Sequence, residues 1–374
     1  MNQPASPPAS ARLHRLAGYL SHDPANAGLL AEACEEAMAC GRHEQAATYI
    51  ATGERLAPGA AEWKFRLAQL SIATRDLARA RTLLEELRTT ARTDAVLLHD
   101  LAYVHFLQED AAGACELLRP WMEDFVQQAA LAPEVAGRLQ ALWLRACQER
   151  GALDEAWAWT RQAQAAQALL PAAAGVASLV ALDLEELASA RTLADSASRS
   201  DPAQPEALLT LGSLSLAARS PGEARAFLQQ ALARKPGDGR ALSALGFACL
   251  LGRDFPSASE ALERAVKAMP AHAQTWLALG WSRLLLCDMA GALSALRSAL
   301  QLDPDDAQVH GALALALALS GDTAAAVRQA EQGEALDEAE GLCKLSRAVA
   351  QTPCDARQVE ALLDALVDQW SPRA

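Results

Sequence analysis

The sequence predicts an all-α protein built from a tandem array of helix pairs. Its 374 residues exceed what one hydrophobic core usually serves, so the chain must hold either several domains or a repeat array. Alanine and leucine dominate, aromatic residues make up only 5%, and the Val, Ile and Thr residues that favour strands are sparse. Proline recurs at intervals of 34 residues, at Pro202, Pro236, Pro270 and Pro304. A fixed period of this length indicates stacked repeats.

The repeat is clearest in three consecutive stretches of 34 residues, 205–238, 239–272 and 273–306. Each has glycine at its eighth position and alanine at its twentieth, which in the middle stretch are Gly246 and Ala258. Large apolar residues take the fourth, seventh and twenty-fourth positions, here Leu242, Leu245 and Leu262. Antiparallel helices approach closely only where side chains are small, so this spacing predicts two helices per repeat that touch at the glycine and the alanine.

This pattern closely resembles the tetratricopeptide repeat family, in which W-x₂-L-G-x₂-Y is followed by A-x₃-F, an alanine and a proline. The same frame adds the repeats 137–170, 171–204 and 307–340, and a frame offset by eight extra residues adds 27–60, 61–94 and 95–128. Alanine takes the twentieth position in every repeat, although 137–170 carries Leu144 where a small residue is expected. The resemblance implies an all-α solenoid, a right-handed superhelix of antiparallel helix pairs with terminal capping helices.

The repeat frame divides the chain into six predicted segments. They are a disordered N-terminus at 1–10, an N-terminal capping helix at 11–26, repeats one to three at 27–128, an insertion or extended connection at 129–136, repeats four to nine at 137–340, and C-terminal capping helices at 341–374. We expect the helix before the insertion to be extended and kinked at Pro120, with a connection near Pro133. A hinge or partner contact and a merely tolerated insertion both remain open for this segment.

Charge and hydropathy argue against several classes of protein. The formal charge of −13 disfavours nucleic acid as a partner, because phosphate backbones are bound by clustered Lys and Arg. The longest apolar stretch, 312–319, has about half the length that a bilayer requires, and the opening MNQPASPPAS lacks the features of a signal peptide. We therefore expect a cytoplasmic protein without membrane insertion, and the preference for Arg over Lys is typical of GC-rich bacterial genomes.

The sequence contains no recognisable catalytic, metal or cofactor motif. Its eight cysteines form no C-x-x-C pair, so we expect reduced thiols that serve as small apolar residues. The seven histidines lack the spacing of a metal site, and neither a phosphate-binding glycine loop nor a G-x-S-x-G elbow is found. Because the repeat assigns most positions to packing, we expect a non-catalytic protein that binds no cofactor and no metal.

In the resembling family, the second, fifth, ninth, twelfth and thirteenth positions of each repeat line a concave groove. Transferred to this chain, these positions predict an apolar groove formed by Phe247, Trp281, Leu315, Leu250, Leu284 and Leu277. They predict a second patch at His99, Tyr103 and Phe106, with Phe65 one repeat earlier. The alternative is that these side chains belong to the core, packed against neighbouring helices or against the chain's own C-terminal helix.

The function that this resemblance favours is a protein–protein interaction scaffold or adaptor that binds a protein or peptide in the groove. An apolar groove suits an apolar or amphipathic segment. Some family members grip a C-terminal carboxylate with Lys at the fifth position and Asn at the ninth, but asparagine occurs here only at Asn2 and Asn26. The alternative function is a cytoplasmic chaperone for subunits of a secretion, pilus or envelope-polysaccharide system. We expect a monomer or a homodimer.

Overall fold

A computed structural model of the chain describes residues 8–91, 94–337 and 341–351, together with the single positions 358 and 361. The described residues form α-helices joined by short turns, and no strand occurs among them. The predicted all-α fold is therefore confirmed. None of the helices in this part of the chain combines the length and apolar character needed to cross a membrane.

The helices follow one another in the order α1 Pro8–His22, α2 Ala27–Ala39, α3 His43–Leu56, α4 Ala61–Ala73, α5 Leu77–Arg88, α6 Ala95–Leu107, α7 Ala111–Met122, α8 Phe125–Ala129, α9 Pro133–Glu149, α10 Leu153–Ala165, α11 Pro171–Asp183, α12 Leu187–Ser200, α13 Pro205–Ala217, α14 Pro221–Arg234, α15 Gly239–Leu251, α16 Phe255–Ala268, α17 Ala273–Leu285, α18 Met289–Leu302, α19 Ala307–Leu319, α20 Thr323–Leu336 and α21 Gly341–Gln351. Each predicted repeat has a first helix and a second helix, but repeat 95–128 also contains the start of α8, and α9 begins before its repeat, at Pro133.

The chain divides into two compact bodies, an N-terminal body at 1–180 and a C-terminal body at 181–374. In the N-terminal body, α1 packs on α2, and the pairs α2/α3, α4/α5, α6/α7 and α9/α10 follow. In the C-terminal body, α12 packs on α13, and the pairs α13/α14, α15/α16, α17/α18 and α19/α20 follow. Within each body the second helix of a pair generally packs on the first helix of the next pair, so the pairs form a stack.

Glycine at the eighth position lets the two helices of a pair approach closely. A Cβ at Gly246 of α15 would lie closer than 3.0 Å to the Leu262 side chain of α16. Gly212 faces Leu228, and Gly280 faces Leu296, in the same way. The alanine at the twentieth position is fully buried in all nine repeats, at Ala46, Ala80, Ala114, Ala156, Ala190, Ala224, Ala258, Ala292 and Ala326. The small residues therefore mark the helix contact that the sequence predicts.

A tight turn joins the two helices of each pair. In five repeats an aspartate precedes the second helix and its side chain accepts a hydrogen bond from a backbone N–H three residues later, at Asp76, Asp110, Asp254, Asp288 and Asp322. The residue before the aspartate has a positive φ, which is 91° at Gly321 and 57° at Arg253. Glycine adopts this conformation without strain, whereas arginine does so at a cost that the surrounding turn must offset.

The insertion differs from the expected kinked helix. The helix α7 contains Pro120 and ends at Met122, and the short helix α8 follows it, capped by the Asp124 side chain. The last carbonyls of α7 lack N–H partners because the helix ends there, and they accept hydrogen bonds from side chains instead. Gln128 donates to the Trp121 carbonyl, and the Trp159 indole donates to the Met122 carbonyl over 2.9 Å. The connection after α8 then ends at Pro133, the first residue of α9.

The ends of the chain differ from the predicted boundaries. The helix α1 begins at Pro8, inside the segment 1–10 that was expected to be disordered, and ends at His22. Proline is well tolerated in the first turn of a helix, where its missing N–H would have no partner. Residues 1–7 lie outside the described part of the chain. The helix α21 lies in the predicted C-terminal capping segment, but of residues 352–374 only positions 358 and 361 are described.

We expect Gly246→Val to destabilise the protein by about 1–3 kcal/mol, because the new side chain would overpack the buried contact with Leu262. Urea unfolding followed by circular dichroism measures this change as a lower midpoint. Gly222 of α14 is the matched control, since it is helical and nothing lies within 4 Å of a Cβ placed there. Equal shifts for Gly246→Val and Gly222→Val would contradict close packing as the cause.

Candidate functional site

In the C-terminal body, the predicted groove residues differ sharply in exposure. Phe247 of α15 is 37% exposed, whereas Trp281 of α17 is 8% exposed and Leu315 of α19 is fully buried. The remaining members of this set are also buried, at Leu250, Leu284 and Leu277. Of the six residues, Phe247 alone therefore presents a substantial surface to solvent.

The chain's own helix α21 packs on α19 and α20. Leu342, Leu345, Val349 and Ala350 of α21 pack against the apolar cluster that contains Leu277, Trp281, Leu284 and Leu315. Gly311 of α19 permits this approach, because a Cβ there would lie 3.2 Å from the sulfur of Cys343. Ser346 of α21 then donates a hydrogen bond to the Gly311 carbonyl over 2.9 Å. Contact with α21 accounts for part of the burial around Leu315.

In the N-terminal body, three part-exposed residues form a row on α6. They are His99, Tyr103 and Phe106, which we call the α6 stripe. Their spacing of four and three residues places them on one face of the helix. The rings of His99 and Tyr103 stack, with centroids 6.3 Å apart and planes inclined by 16°. Tyr103 is 36% exposed, and the other two residues are half-buried.

Polar contacts between neighbouring first helices hold the α6 stripe in place. Gln69 of α4 donates a hydrogen bond to Asp100 of α6 over 3.2 Å, and the other oxygen of Asp100 lies 3.0 Å from Nδ1 of His99. One repeat earlier, Arg66 of α4 pairs with Glu35 of α2 at 2.8 Å. The ninth position of one repeat thus contacts the sixth position of the next in both cases. These contacts fix the His99 ring and give the stripe a polar border.

Phe65, the remaining predicted residue, lies on α4 and is half-buried. It packs against the core cluster that contains Leu101 and Val104 of α6. The Phe65 ring therefore contributes to packing, and part of its surface stays accessible to solvent.

A histidine and an aspartate anchor the C-terminal end of α6. Nδ1 of His105 lies 2.7 Å from Oδ2 of Asp110, and the Gly113 N–H donates to Oδ1 of Asp110 over 2.8 Å. These hydrogen bonds, that of His105 above all, hold the pKa of the Asp110 carboxyl below its usual range. Asp110 thus caps α7 and ties it to the helix that carries the stripe.

The cysteines and the acidic residues of the described ranges offer no metal centre, since no group of three or more His, Cys, Asp or Glu side chains converges there. Seven cysteines are described, and all are free thiols. Cys115 of α7 and Cys147 of α9 are buried, with sulfur atoms 3.6 Å apart. Burial raises the pKa of Cys34 to about 11, so this residue is a neutral thiol at physiological pH.

Sequence reasoning missed a buried cluster around the insertion. The buried side chains of Gln128 and Gln140 are joined by a hydrogen bond of 2.7 Å, and Gln140 also donates to the Ala168 carbonyl over 2.9 Å. The rings of Trp143 and Trp159 pack with centroids 5.3 Å apart. The eight extra residues and Pro120 signalled an irregularity, but no repeat position identified these partners.

Family models of the tetratricopeptide repeat match several parts of the chain. One model matches residues 32–95, 176–239 and 288–341, and a second matches residues 215–281. Together with the stacked helix pairs, these matches decide the family. The chain belongs to the tetratricopeptide repeat family. The fold is accordingly an all-α tetratricopeptide repeat solenoid.

Among solved structures, similar chains are also tetratricopeptide repeat proteins. YrrB, described as having an unusual peptide-binding site, is 17% identical, with 47% of this chain and 91% of YrrB covered and a TM-score of 0.42. MamA from Desulfovibrio magneticus is 21% identical, with 44% and 93% covered and a TM-score of 0.39. A protein from Parabacteroides merdae is 14% identical, with 69% and 99% covered and a TM-score of 0.41. No curated protein sequence matches this chain.

We expect Trp281→Ala to destabilise this tetratricopeptide repeat protein by about 3–5 kcal/mol, because it would empty part of a packed core. Phe247→Ala should cost less than about 2 kcal/mol, because over a third of that side chain already contacts solvent. Thermal and urea unfolding of the two variants measure the difference. A Trp281→Ala protein as stable as the wild type would place Trp281 outside the core.

We expect Asp110→Ala to destabilise the protein by about 1 kcal/mol at neutral pH through loss of the α7 cap. A carboxyl whose pKa is lowered by folding contributes stability above its unfolded pKa, and this contribution disappears as the pH falls through the folded value. The difference from wild type should therefore shrink below about pH 4. Urea unfolding at pH 7 and at pH 3 tests this.

The matched control is Asp288→Ala, which removes an equivalent cap from α18, where Oδ1 accepts from the Gly291 N–H over 3.0 Å. In the described part of the chain Asp288 has no histidine partner. It should show a similar loss at neutral pH. An Asp110→Ala difference that stays constant between pH 7 and pH 3 would contradict a role for the carboxylate charge.

Proposed function

We propose that the chain is a non-catalytic scaffold that binds a protein or peptide segment on the face formed by the first helices of its repeats. The observation that carries this proposal is the α6 stripe, in which two stacked rings and Phe106 keep exposed surface on one helix face. Large side chains held in place by their neighbours make effective binding anchors, because little conformational freedom is lost when a partner docks. Membership of the tetratricopeptide repeat family supports the same role.

The chemistry of the stripe favours an apolar or amphipathic partner segment. Tyr103 and His99 each present an apolar ring with a polar atom, so they can pack against apolar side chains and also hydrogen-bond to a backbone. Asp100 and Gln69 border these rings and bond to each other, and Arg66 is already paired with Glu35 and Glu62. Since cations at this border are neutralised within the protein, recognition of a strongly acidic tail is disfavoured.

Phe247 is a second candidate contact, within the C-terminal body. It lies at the ninth position of its repeat, as Tyr103 does in the N-terminal body. Its exposed ring is an exception among the predicted groove residues of that body, most of which serve the core. The proposal therefore retains Phe247 as a partner contact and assigns Trp281, Leu284 and Leu315 to packing.

The same proposal includes a cytoplasmic protein that is a monomer or a homodimer and performs no catalysis. What supports the last point is that the repeat assigns most helix positions to packing, as the buried glycine, alanine and leucine positions illustrate. A chaperone for subunits of a secretion, pilus or envelope-polysaccharide system would use the same surface. The solubility of the captured partner distinguishes it from a scaffold, because a chaperone's client becomes insoluble when the chain is removed.

We expect Tyr103→Ala to abolish capture of the partner while leaving the fold intact. Loss of an aromatic anchor of this kind typically costs about 2 kcal/mol, which is about thirtyfold in affinity. The measurement is affinity capture from a native lysate with wild-type and variant baits, followed by quantitative mass spectrometry. Binding of the identified partner to each purified bait then gives the change in Kd.

Tyr19→Ala is the matched control, because Tyr19 of α1 is a tyrosine that is 58% exposed and lies outside the predicted groove positions. This variant should capture the same partners as the wild type. If Tyr103→Ala and Tyr19→Ala capture identical sets, the α6 stripe does not bind the partner. The variant Phe247→Ala, tested in the same experiment, shows separately whether the C-terminal body contributes to partner binding.

A further inference from the structure

A cleft of about 510 Å³ lies in the N-terminal body, between the ends of α5 and α7 and the short helix α8. Its volume falls within the range of about 300–1,000 Å³ that is common for ligand-binding sites. The apolar part of its lining comes from Leu98 of α6 and from Leu117, Pro120 and Trp121 of α7. The rest of the lining is polar and comes from the end of α5, from α7 and from α8, so the cleft is partly apolar.

The cleft lies on a different face of α6 from the stripe. Leu98 lines the cleft, and Tyr103 follows it five residues later in the same helix. With 3.6 residues per turn, five residues correspond to a rotation of about 140°. A segment bound in the cleft therefore does not compete directly for the surface that Tyr103 presents.

The cleft is preorganised, because buried contacts hold α8 in place. Gln127 of α8 lines the cleft, and the next residue, Gln128, is buried. The Gln128 side chain donates to the Trp121 carbonyl and is joined to Gln140 of α9. Phe125, at the start of α8, packs against Trp159 with ring centroids 6.1 Å apart. A wall held in this way loses little entropy on binding.

The rim of the cleft carries two carboxylates and one cation, and so a net negative charge. Glu116 lines it, is exposed, and makes no ion pair with any described residue. Glu85 also lines the cleft, and its Oε1 forms an ion pair with Nε of Arg81 at 2.9 Å. The one cation that lines the cleft, Arg88, lies in the last turn of α5, where a positive charge already interacts favourably with the helix carbonyls.

Two further features lie next to the lining residues in sequence. The connection between α7 and α8 adds the exposed acids Glu123 and Asp124. On α8, Val126 is 84% exposed and adds apolar surface next to Gln127. An apolar cleft, an exposed valine and unpaired carboxylates thus occur together at the insertion.

We propose that this cleft is a second protein-binding site, which takes a short segment of another protein that carries apolar side chains flanked by lysine or arginine. The apolar side chains enter between Leu117 and Trp121, and the flanking cations face Glu116 and Glu85. Charge complementarity favours this partner chemistry, because the lining has a net negative charge and its Glu116 carboxylate has no ion pair among the described residues. This site goes beyond the function proposed for the α6 stripe and does not depend on it.

The test uses a random twelve-residue phage-display library selected against the full-length wild-type chain. Thr89 is an exposed residue of the lining, and a tryptophan at this position fills the cleft from its rim. Counter-selection against Thr89→Trp therefore removes peptides that bind elsewhere on the protein. We expect enriched sequences that combine apolar residues with an excess of Lys and Arg over Asp and Glu. The best peptide, made synthetically, should bind Thr89→Trp and Glu116→Arg at least tenfold more weakly than the wild type.

Matched controls separate the cleft from general effects. Thr82→Trp makes the same change at an exposed threonine of α5 outside the lining, and Glu149→Arg makes the same charge change at the end of α9. Both should bind the peptide within twofold of the wild type, as should Tyr103→Ala, which reports on the other site. Circular dichroism confirms that each variant is folded.

Four results would each overturn the proposal. The first is that no peptide is enriched over the counter-selected pool. The second is that the enriched sequences show no excess of basic residues. The third is that the best peptide binds equally well to the wild type, Thr89→Trp and Glu116→Arg. A peptide that loses binding with Tyr103→Ala but not with Glu116→Arg belongs to the α6 stripe, and this result would also refute the cleft.

Discussion

The close contact between the two helices of each pair is the constraint on which the rest of the structure depends. At Gly246 a Cβ has no room beside Leu262, and the alanine at the twentieth position of every repeat is fully buried. This contact sets the distance between the helices, and the large residues around it then pack against the next pair. A surface on the first helices can keep a constant geometry only because these contacts repeat. The α6 stripe and Phe247 occupy such positions.

The insertion shows what the chain requires where the repeat is interrupted. The helix α7 ends at Met122, two residues after Pro120, and its last carbonyls need donors from outside the helix. Gln128 and the Trp159 indole supply them, and Gln140 joins this network to the next helix. Because buried polar groups are costly when unpaired, these contacts fix α8 firmly. The helix α8, held in this way, contributes Gln127 to the lining of the cleft whose binding role we propose.

Exposure separates residues that the sequence pattern treats alike. Phe247 and Trp281 occupy the same position in successive repeats, yet the first contacts solvent and the second belongs to a cluster against which α21 packs. An apolar side chain at a first-helix position gains similar free energy whether its own chain or a partner covers it. The α6 stripe remains accessible, bordered by hydrogen bonds between neighbouring helices that satisfy Asp100 and Gln69. Of the residues that the family pattern predicts to line the groove, we therefore assign only a few to partner binding.

By itself, the sequence determined the helical class and the 34-residue period, because both depend on local spacing and on residue size. It also located the insertion near Pro120, but it could not place α8, since Gln128 finds its partners at Trp121 and Gln140 only in the folded chain. The tertiary structure alone decided that α21 packs near Leu315 while Tyr103 stays accessible. The physical reason is that the burial of a side chain depends on which distant segments of the chain meet. A periodic sequence pattern shows that a side chain must be buried, but it does not identify the residues that cover it.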